Sequence, residues 1–257
     1  MKYIDYKVLN RMAFIILNRP EKRNALSYEL VSELKIAFQI AENDEKVKVV
    51  ILKANGETFC AGADLTYLQQ LQNFSHEENL TDSNHLKSLY LQIYTLKKIV
   101  IAQVQGHALA GGCGLTTVCD FVFAVPEAKF GYTEVKIGFI PAIVMVFLIR
   151  KIGEGKAKQL LLIGDLVLAE EAMQLGLVNK VIGSENLETE IEIFAQKLIH
   201  ENSTHAMMLT KQMITQVQSM TLNEALLFAS EMNATARKSD DCKKGIDGFL
   251  SKKKITW

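Results

Sequence analysis

Apolar runs and helical spacings alternate along this chain, and together they predict its elements. YKVL at 6–9 and MAFIIL at 12–17 read as two strands that precede a turn at Asn18–Arg19–Pro20. From Ser27, a plausible N-cap, Leu30, Leu34, Ala37, Phe38 and Ala41 recur at helical period. Lys48 to Ala54 is nearly all apolar, as expected of a strand covered on both faces. Residues 66–97 are polar and irregular to about Asn84, then helix-like through Lys97. The polar part suits a lid over a binding site and a flexible surface excursion equally. Ile99–Val104 reads as a buried strand, followed by a glycine break, a short helix to Asp120 and a strand at Phe121–Val125. Pro141 opens an apolar helix from the first-turn position, where proline is tolerated. Beyond Glu154 the pattern is helical, with the strand-like LVNKVI at 177–182 as the exception.

No Pro/Gly/Ser linker, repeat or low-complexity tract divides the chain. The reading is an α/β core over 1–195 and a helical C-terminal region over 196–257. At 257 residues, 49% apolar and 23% charged, a sizeable core is available. Lys+Arg and Asp+Glu balance at 29 each, so no net charge points to nucleic acid or a membrane surface. The run Ala142–Ile149 is too short to span a bilayer and reads as a buried helix. The N-terminus is interrupted by charge throughout, unlike a signal peptide. Cys60, Cys113, Cys119 and Cys242 lack CxxC spacing and read as reduced thiols of a cytoplasmic protein. The five histidines form no ligand pair at helical spacing, so no metal is expected.

The chemistry concentrates in two glycine breaks. One is GHALAGGCG from Gly106, between a strand and a helix. The other is ETFCAGADL, Glu57 to Leu65, after the strand VKVVILKA. Glycine lets backbone approach a ligand closely, and the first N–H groups of a helix have no internal partner. Two such loops can aim two donors at one oxygen, which is an oxyanion hole. One acid, Glu134, follows the GHALAGGCG loop by about twenty residues.

FCAGADL, GHALAGGCG and FGYTEVKIGFIP, with NRPEKRNALS and LAEEAMQLGLVNKVI, resemble the enoyl-CoA hydratase/isomerase (crotonase) superfamily over nearly the whole chain. The resemblance implies a spiral of ββα units and a trimer, or dimer of trimers, built through C-terminal helices. It makes Ala63 and Gly111 the oxyanion donors to a thioester carbonyl, and Glu134 the acid/base. Arg23, Ala25, Ala61, Asp64 and Leu65 would line the coenzyme A site, with Phe249 and Lys252 reaching the nucleotide of a neighbouring subunit. No resident cofactor is implied, because the coenzyme A thioester is the substrate.

The chain departs from the family's two-acid hydratases at Gly114, where they carry a first glutamate, and at Ala142–Ile143–Val144–Met145, where they carry a GAGG-type run. Both departures resemble bacterial 3-methylglutaconyl-CoA hydratases, and also the carrier-protein dehydratases of polyketide β-branching. The leading expectation is hydration of a branched, carboxylated enoyl-CoA, with the substrate's own carboxylate helping to organise water. Asn84 and His85 are candidates to meet that carboxylate. An enoyl-CoA isomerase needs only the one glutamate, and a non-catalytic coenzyme A binder would need none.

Overall fold

The computed structural model describes residues 1–257. Strands β1 (Ile4–Leu9) and β2 (Met12–Leu17) form an antiparallel hairpin, and α1 (Tyr28–Asn43) follows. Ser27 caps α1 by accepting from the Leu30 N–H, and Leu30, Leu34, Ala37, Phe38 and Ala41 are buried, as their spacing predicted. Three similar units come next. The first is β3 (Val49–Ala54), β4 (Thr58–Cys60), α2 (Leu65–Leu71) and α3 (His76–Thr95). The second is β5 (Ile99–Val104), β6 (His107–Leu109) and α4 (Gly111–Thr117). The third is β7 (Phe121–Ala124), β8 (Lys129–Gly131), a 3₁₀ turn over Glu134–Ile137, and α5 (Ala142–Ile152).

The first strand of each unit joins a six-stranded sheet of order β1-β2-β3-β5-β7-β10, and the second joins a four-stranded sheet, β4-β6-β8-β9. β3, β5 and β7 are parallel neighbours, and so are β4, β6 and β8. Each unit therefore advances the chain by one strand in both sheets, which makes the spiral that the resemblance implied. β2 is buried along its whole length and β3 along nearly all of it, so apolar runs rather than alternation mark these strands.

The chain continues through α6 (Glu154–Ile163), β9 (Val167–Leu168), α7 (Ala169–Leu175) and β10 (Lys180–Val181). It ends in α8 (Leu187–Glu201), α9 (Thr204–Val217), α10 (Leu222–Lys238) and α11 (Asp240–Leu250). α8 runs across position 196, so the last three helices begin at Thr204.

Two expectations need correction. Residues 66–84 are not irregular: they form α2 and the first half of α3, whose N-terminus carries a reciprocal Ser75–Glu78 capping box. Only Leu89, Tyr90 and Ile93 of α3 are buried, so no long apolar stripe reveals the helix. α5 is not buried throughout, because Val144, Phe147 and Leu148 face the core while Met145, Val146 and Ile149 are exposed. No helix is long and apolar enough to cross a membrane.

Candidate active site

The two glycine loops meet. Gly62 has φ +92°, a conformation that favours glycine, and a Cβ there would lie 2.9 Å from the Ala110 Cβ and 3.6 Å from the Gly111 nitrogen. A Cβ at Gly112 would fall 2.2 Å from the Cys60 carbonyl oxygen, so the N-terminus of α4 rests directly on the end of β4. Between β6 and α4, Ala110 takes φ 50°, ψ −122°, a strained turn for alanine that starts α4 at Gly111.

A parallel bridge between Leu26 and Ala63 orients the other loop. The Leu26 N–H donates to the Gly62 carbonyl at 2.7 Å, and the Asp64 N–H donates to the Leu26 carbonyl at 2.9 Å. The intervening Ala63 N–H therefore points away from Leu26 and donates to no protein group. The Gly111 N–H, at the first position of α4, is free for the reason all helix starts are. Standard covalent geometry places the Ala63 nitrogen about 3 Å from the Gly62 Cβ position, so the two nitrogens lie no more than about 7 Å apart.

Glu134 opens the 3₁₀ turn that follows β8. Its Oε2 is enclosed and has no hydrogen-bond partner. Burial raises the carboxyl pKa above its ordinary value, against a smaller opposing contribution from its own N–H. Tyr90 of α3 is fully buried, and its hydroxyl donates to the Gly111 carbonyl at 2.8 Å; burial above all, then Cys60, Glu134 and Cys113, raises its phenol pKa. The Ala110 N–H, just before α4, donates at 2.8 Å to the carbonyl of Gly131, three residues before Glu134. Glu134, Tyr90 and the N-terminus of α4 are thus one constellation: two unengaged amides and one carboxyl of raised proton affinity.

The family model described as enoyl-CoA hydratase/isomerase matches residues 8–257. The chain belongs to that family. It is one of that family's enzymes. A Thermus thermophilus protein provisionally named an enoyl-CoA hydratase is 40% identical, covering 94% of this chain and 95% of that one. A crotonyl-CoA hydratase of Syntrophomonas wolfei is 33% identical over 96% of this chain and 94% of its own. The crystal structure of a Mycobacterium smegmatis enoyl-CoA hydratase superposes with a TM-score of 0.93 at 30% identity, covering 99% and 98% of the two chains.

Within this hydratase/isomerase scaffold the other predicted residues fall into groups. Arg23 is exposed in a left-handed turn, and its carbonyl accepts the Ala61 N–H at 3.0 Å, while Ala25 is buried beside it. Leu65 is 77% exposed next to Ala63. Asp64 does more than present backbone: its carboxylate caps α2 through the Thr66 and Tyr67 N–H groups and pairs with Arg19 at 2.8 Å. Phe249 lies in the last turn of α11, which packs on α9 and α10, and Lys252 lies just beyond it; Phe249 is 83% exposed.

Asn84 and His85 each have partners of their own. His85 stacks on Tyr28 and lies 3.0 Å from the Ser32 Oγ, against α1, and Asn84 accepts from Lys87. The Cys60 and Cys113 thiols beside the site are held protonated by burial, Cys113 with a pKa of about 11.

Sequence reasoning missed several contributors. Tyr90 sits in the helix-like end of a polar segment with no motif around it. Val144 projects from α5 into the space in front of Gly114: a Cβ at Gly114 would lie 2.4 Å from the Val144 Cγ1, 3.1 Å from the Tyr90 hydroxyl and 3.2 Å from its Cζ. Lys151, at the far end of α5, reaches the other end of α4. Its ammonium donates to the carbonyls of Cys119 at 2.9 Å, Thr117 at 3.2 Å and Thr116 at 3.5 Å. A cation there complements the negative end of the helix dipole. The signal available beforehand was a lysine late in an apolar helix, which also fits a solvated face.

Proposed function

We propose that the Ala63 and Gly111 N–H groups hold the thioester oxygen of an acyl-CoA and that Glu134 moves the proton at the reacting carbons. The observation that carries this is the enclosed, unpartnered Oε2 of Glu134 in the same constellation as two amides that donate to no protein group. In hydration, the Glu134 carboxylate takes a proton from water as the water oxygen bonds to C3, and electron density moves to the thioester oxygen. Two preorganised donors stabilise that enolate more than the neutral carbonyl, at about 3–4 kcal/mol each in comparable sites. The same carboxyl then returns the proton to C2, so atoms and charge balance.

For the substrate we propose a branched enoyl-CoA of the 3-methylglutaconyl type, as in leucine breakdown, hydrated or formed by dehydration. Gly114 supports this reading, since a substrate with its own distal carboxylate can help organise water where the chain offers no second acid. The relatives named for crotonyl-CoA and other short-chain enoyl-CoA hydration set the broader class. Isomerisation of a 3-enoyl-CoA is the second reading. The lack of room at Gly114 favours it, because one carboxyl suffices to carry a proton between carbons. Arg23, Ala25, Ala61, Asp64 and Leu65 would line the coenzyme A site. Phe249 and Lys252 would reach it from a neighbouring subunit of a trimer, or dimer of trimers, in the cytoplasm. Exposed Leu222, Leu226, Leu227, Ile246 and Leu250 on α10 and α11 suit such an assembly.

The test combines Glu134→Gln with a panel of crotonyl-CoA, 3-methylglutaconyl-CoA, a 3-enoyl-CoA and a carrier-protein thioester. Glu134→Gln should lower turnover by roughly 10²–10⁴ with little change in thioester affinity. A near-wild-type variant would refute the role of Glu134. Crotonyl-CoA hydrated as fast as the branched diacid ester would refute the substrate assignment, and isomerisation without hydration would establish the second reading.

A further inference from the structure

Position 114 has a special place on α4. It lies three residues after Gly111, on the same helical face, and Cβ positions built at both glycines come within 3.1 Å of the Tyr90 hydroxyl. A side chain at 114 would therefore emerge beside whatever acyl group the Gly111 amide holds. The chain closes that position from two sides. Tyr90 is fully buried behind it and tethered to the Gly111 carbonyl, so it cannot swing away without giving up that bond. Val144 is nearly as buried, and its Cγ1 stands 2.4 Å from where a Cβ would be. A β-branched residue in a helix has essentially one favoured χ1, so Val144 has little freedom to clear the space.

We propose that Val144 is a specificity-determining residue: it occupies the volume through which a second side chain would reach the substrate, and so commits the site to one acid, Glu134. Gly114 and Val144 are then two halves of one steric arrangement. An acid introduced at 114 has nowhere to stand until Val144 is made smaller. This deepens the proposed function and rests on its placement of the acyl group at Gly111.

The experiment is a pair of double-mutant cycles. In the first, thermal unfolding is read for wild type, Gly114→Ala, Val144→Ala and the double variant. Overpacking should make Gly114→Ala cost about 2–10 °C in the wild-type background and less than half of that in the Val144→Ala background. Equal costs in both backgrounds would overturn the steric pairing, and this arm needs no assumption about chemistry. In the second cycle, crotonyl-CoA hydration is followed by loss of the conjugated enoyl thioester. Gly114→Glu alone should gain nothing, whereas Gly114→Glu with Val144→Ala should exceed the Val144→Ala variant by roughly tenfold or more. An equal gain from Gly114→Glu alone, or a folded double variant that gains nothing, would overturn the proposal. Glu134→Gln in the wild-type background tests the underlying reading separately. If it stays fully active, that reading fails while the unfolding cycle still decides the contact.

Discussion

Replacing Asp64 by alanine would strike both the fold and the oxyanion loop. Its carboxylate accepts from the Thr66 N–H at 2.8 Å and the Tyr67 N–H at 3.4 Å, and pairs with the Arg19 guanidinium at 2.8 Å. The two side chains are only 8% and 13% exposed, so Arg19 would be left as an enclosed cation without its partner. Breaking such a pair costs about 3–5 kcal/mol, and loss of an N-cap about 1 kcal/mol. One carboxylate serves both purposes, Oδ1 the cap and Oδ2 the ion pair, so the two costs are coupled rather than additive, and about 4 kcal/mol is expected. For a chain of this size that lowers Tm by about 8–16 °C. Asp64→Asn keeps an acceptor for the α2 amides and should lose roughly half as much. Turnover should fall in both variants, because the Ala63 N–H immediately precedes the disturbed cap. Burial alone raises the Asp64 pKa, but the Thr66 N–H, Arg19 and the Tyr67 N–H together hold it below the ordinary value. Its contribution to stability is thus fully present above the ordinary aspartate range and is lost as pH falls through the lowered folded value. Thermal melts by circular dichroism from neutral to acid pH test this. An Asp64→Ala protein melting within about 2 °C of wild type, or with the same acid dependence, would refute the reasoning.

Two further outcomes follow from the site. Because burial raises the Glu134 pKa, the acid limb of kcat/KM should lie above the ordinary glutamate range. The associated stability should fall as pH rises through that limb, a dependence that Glu134→Gln abolishes. Lys151→Met would leave the Thr117 and Cys119 carbonyls without their lysine donor, at about 1–3 kcal/mol after relief of the lysine's own desolvation, and should lower Tm by about 2–12 °C. A melt unchanged by Lys151→Met would show that other donors serve those carbonyls.

The sequence makes some parts of this enzyme much plainer than others. The six-stranded sheet is legible because β2, β3, β5 and β7 are buried apolar runs, and α1 because its buried face keeps strict helical period. The four-stranded sheet is not, since β4, β6 and β8 have three residues each, too few for any period to register. The site was legible where backbone carries it, because glycines mark the loops at Ala63 and Gly111. Tyr90 and Arg19 were not, and Val144 was visible only as part of the departing run 142–145, because each acts through a contact with a residue far away in sequence. Arg19 gains its role only when the bridge at Leu26 brings Asp64 beside it. The glycine at 114 was noticed as an absence, whereas the structure reveals a valine filling the space.

These distant contacts explain how a seven-residue helix can keep its first amide open for the proposed oxyanion role. α4 is too short to be stable alone, so its position must come from its surroundings. Gly112 lets it rest on the Cys60 carbonyl, Tyr90 ties down its first carbonyl, and Val144 closes its side at 114. At its far end Lys151 engages the Thr116, Thr117 and Cys119 carbonyls, and Asp120, just beyond, is held by Lys211 from α9 at 2.7 Å. Every constraint falls on carbonyls, side faces or the far end, and none uses the Gly111 N–H. The helix is therefore fixed in place while the Gly111 N–H, one of the two proposed donors, stays unengaged, like the Ala63 N–H and the unpartnered oxygen of Glu134.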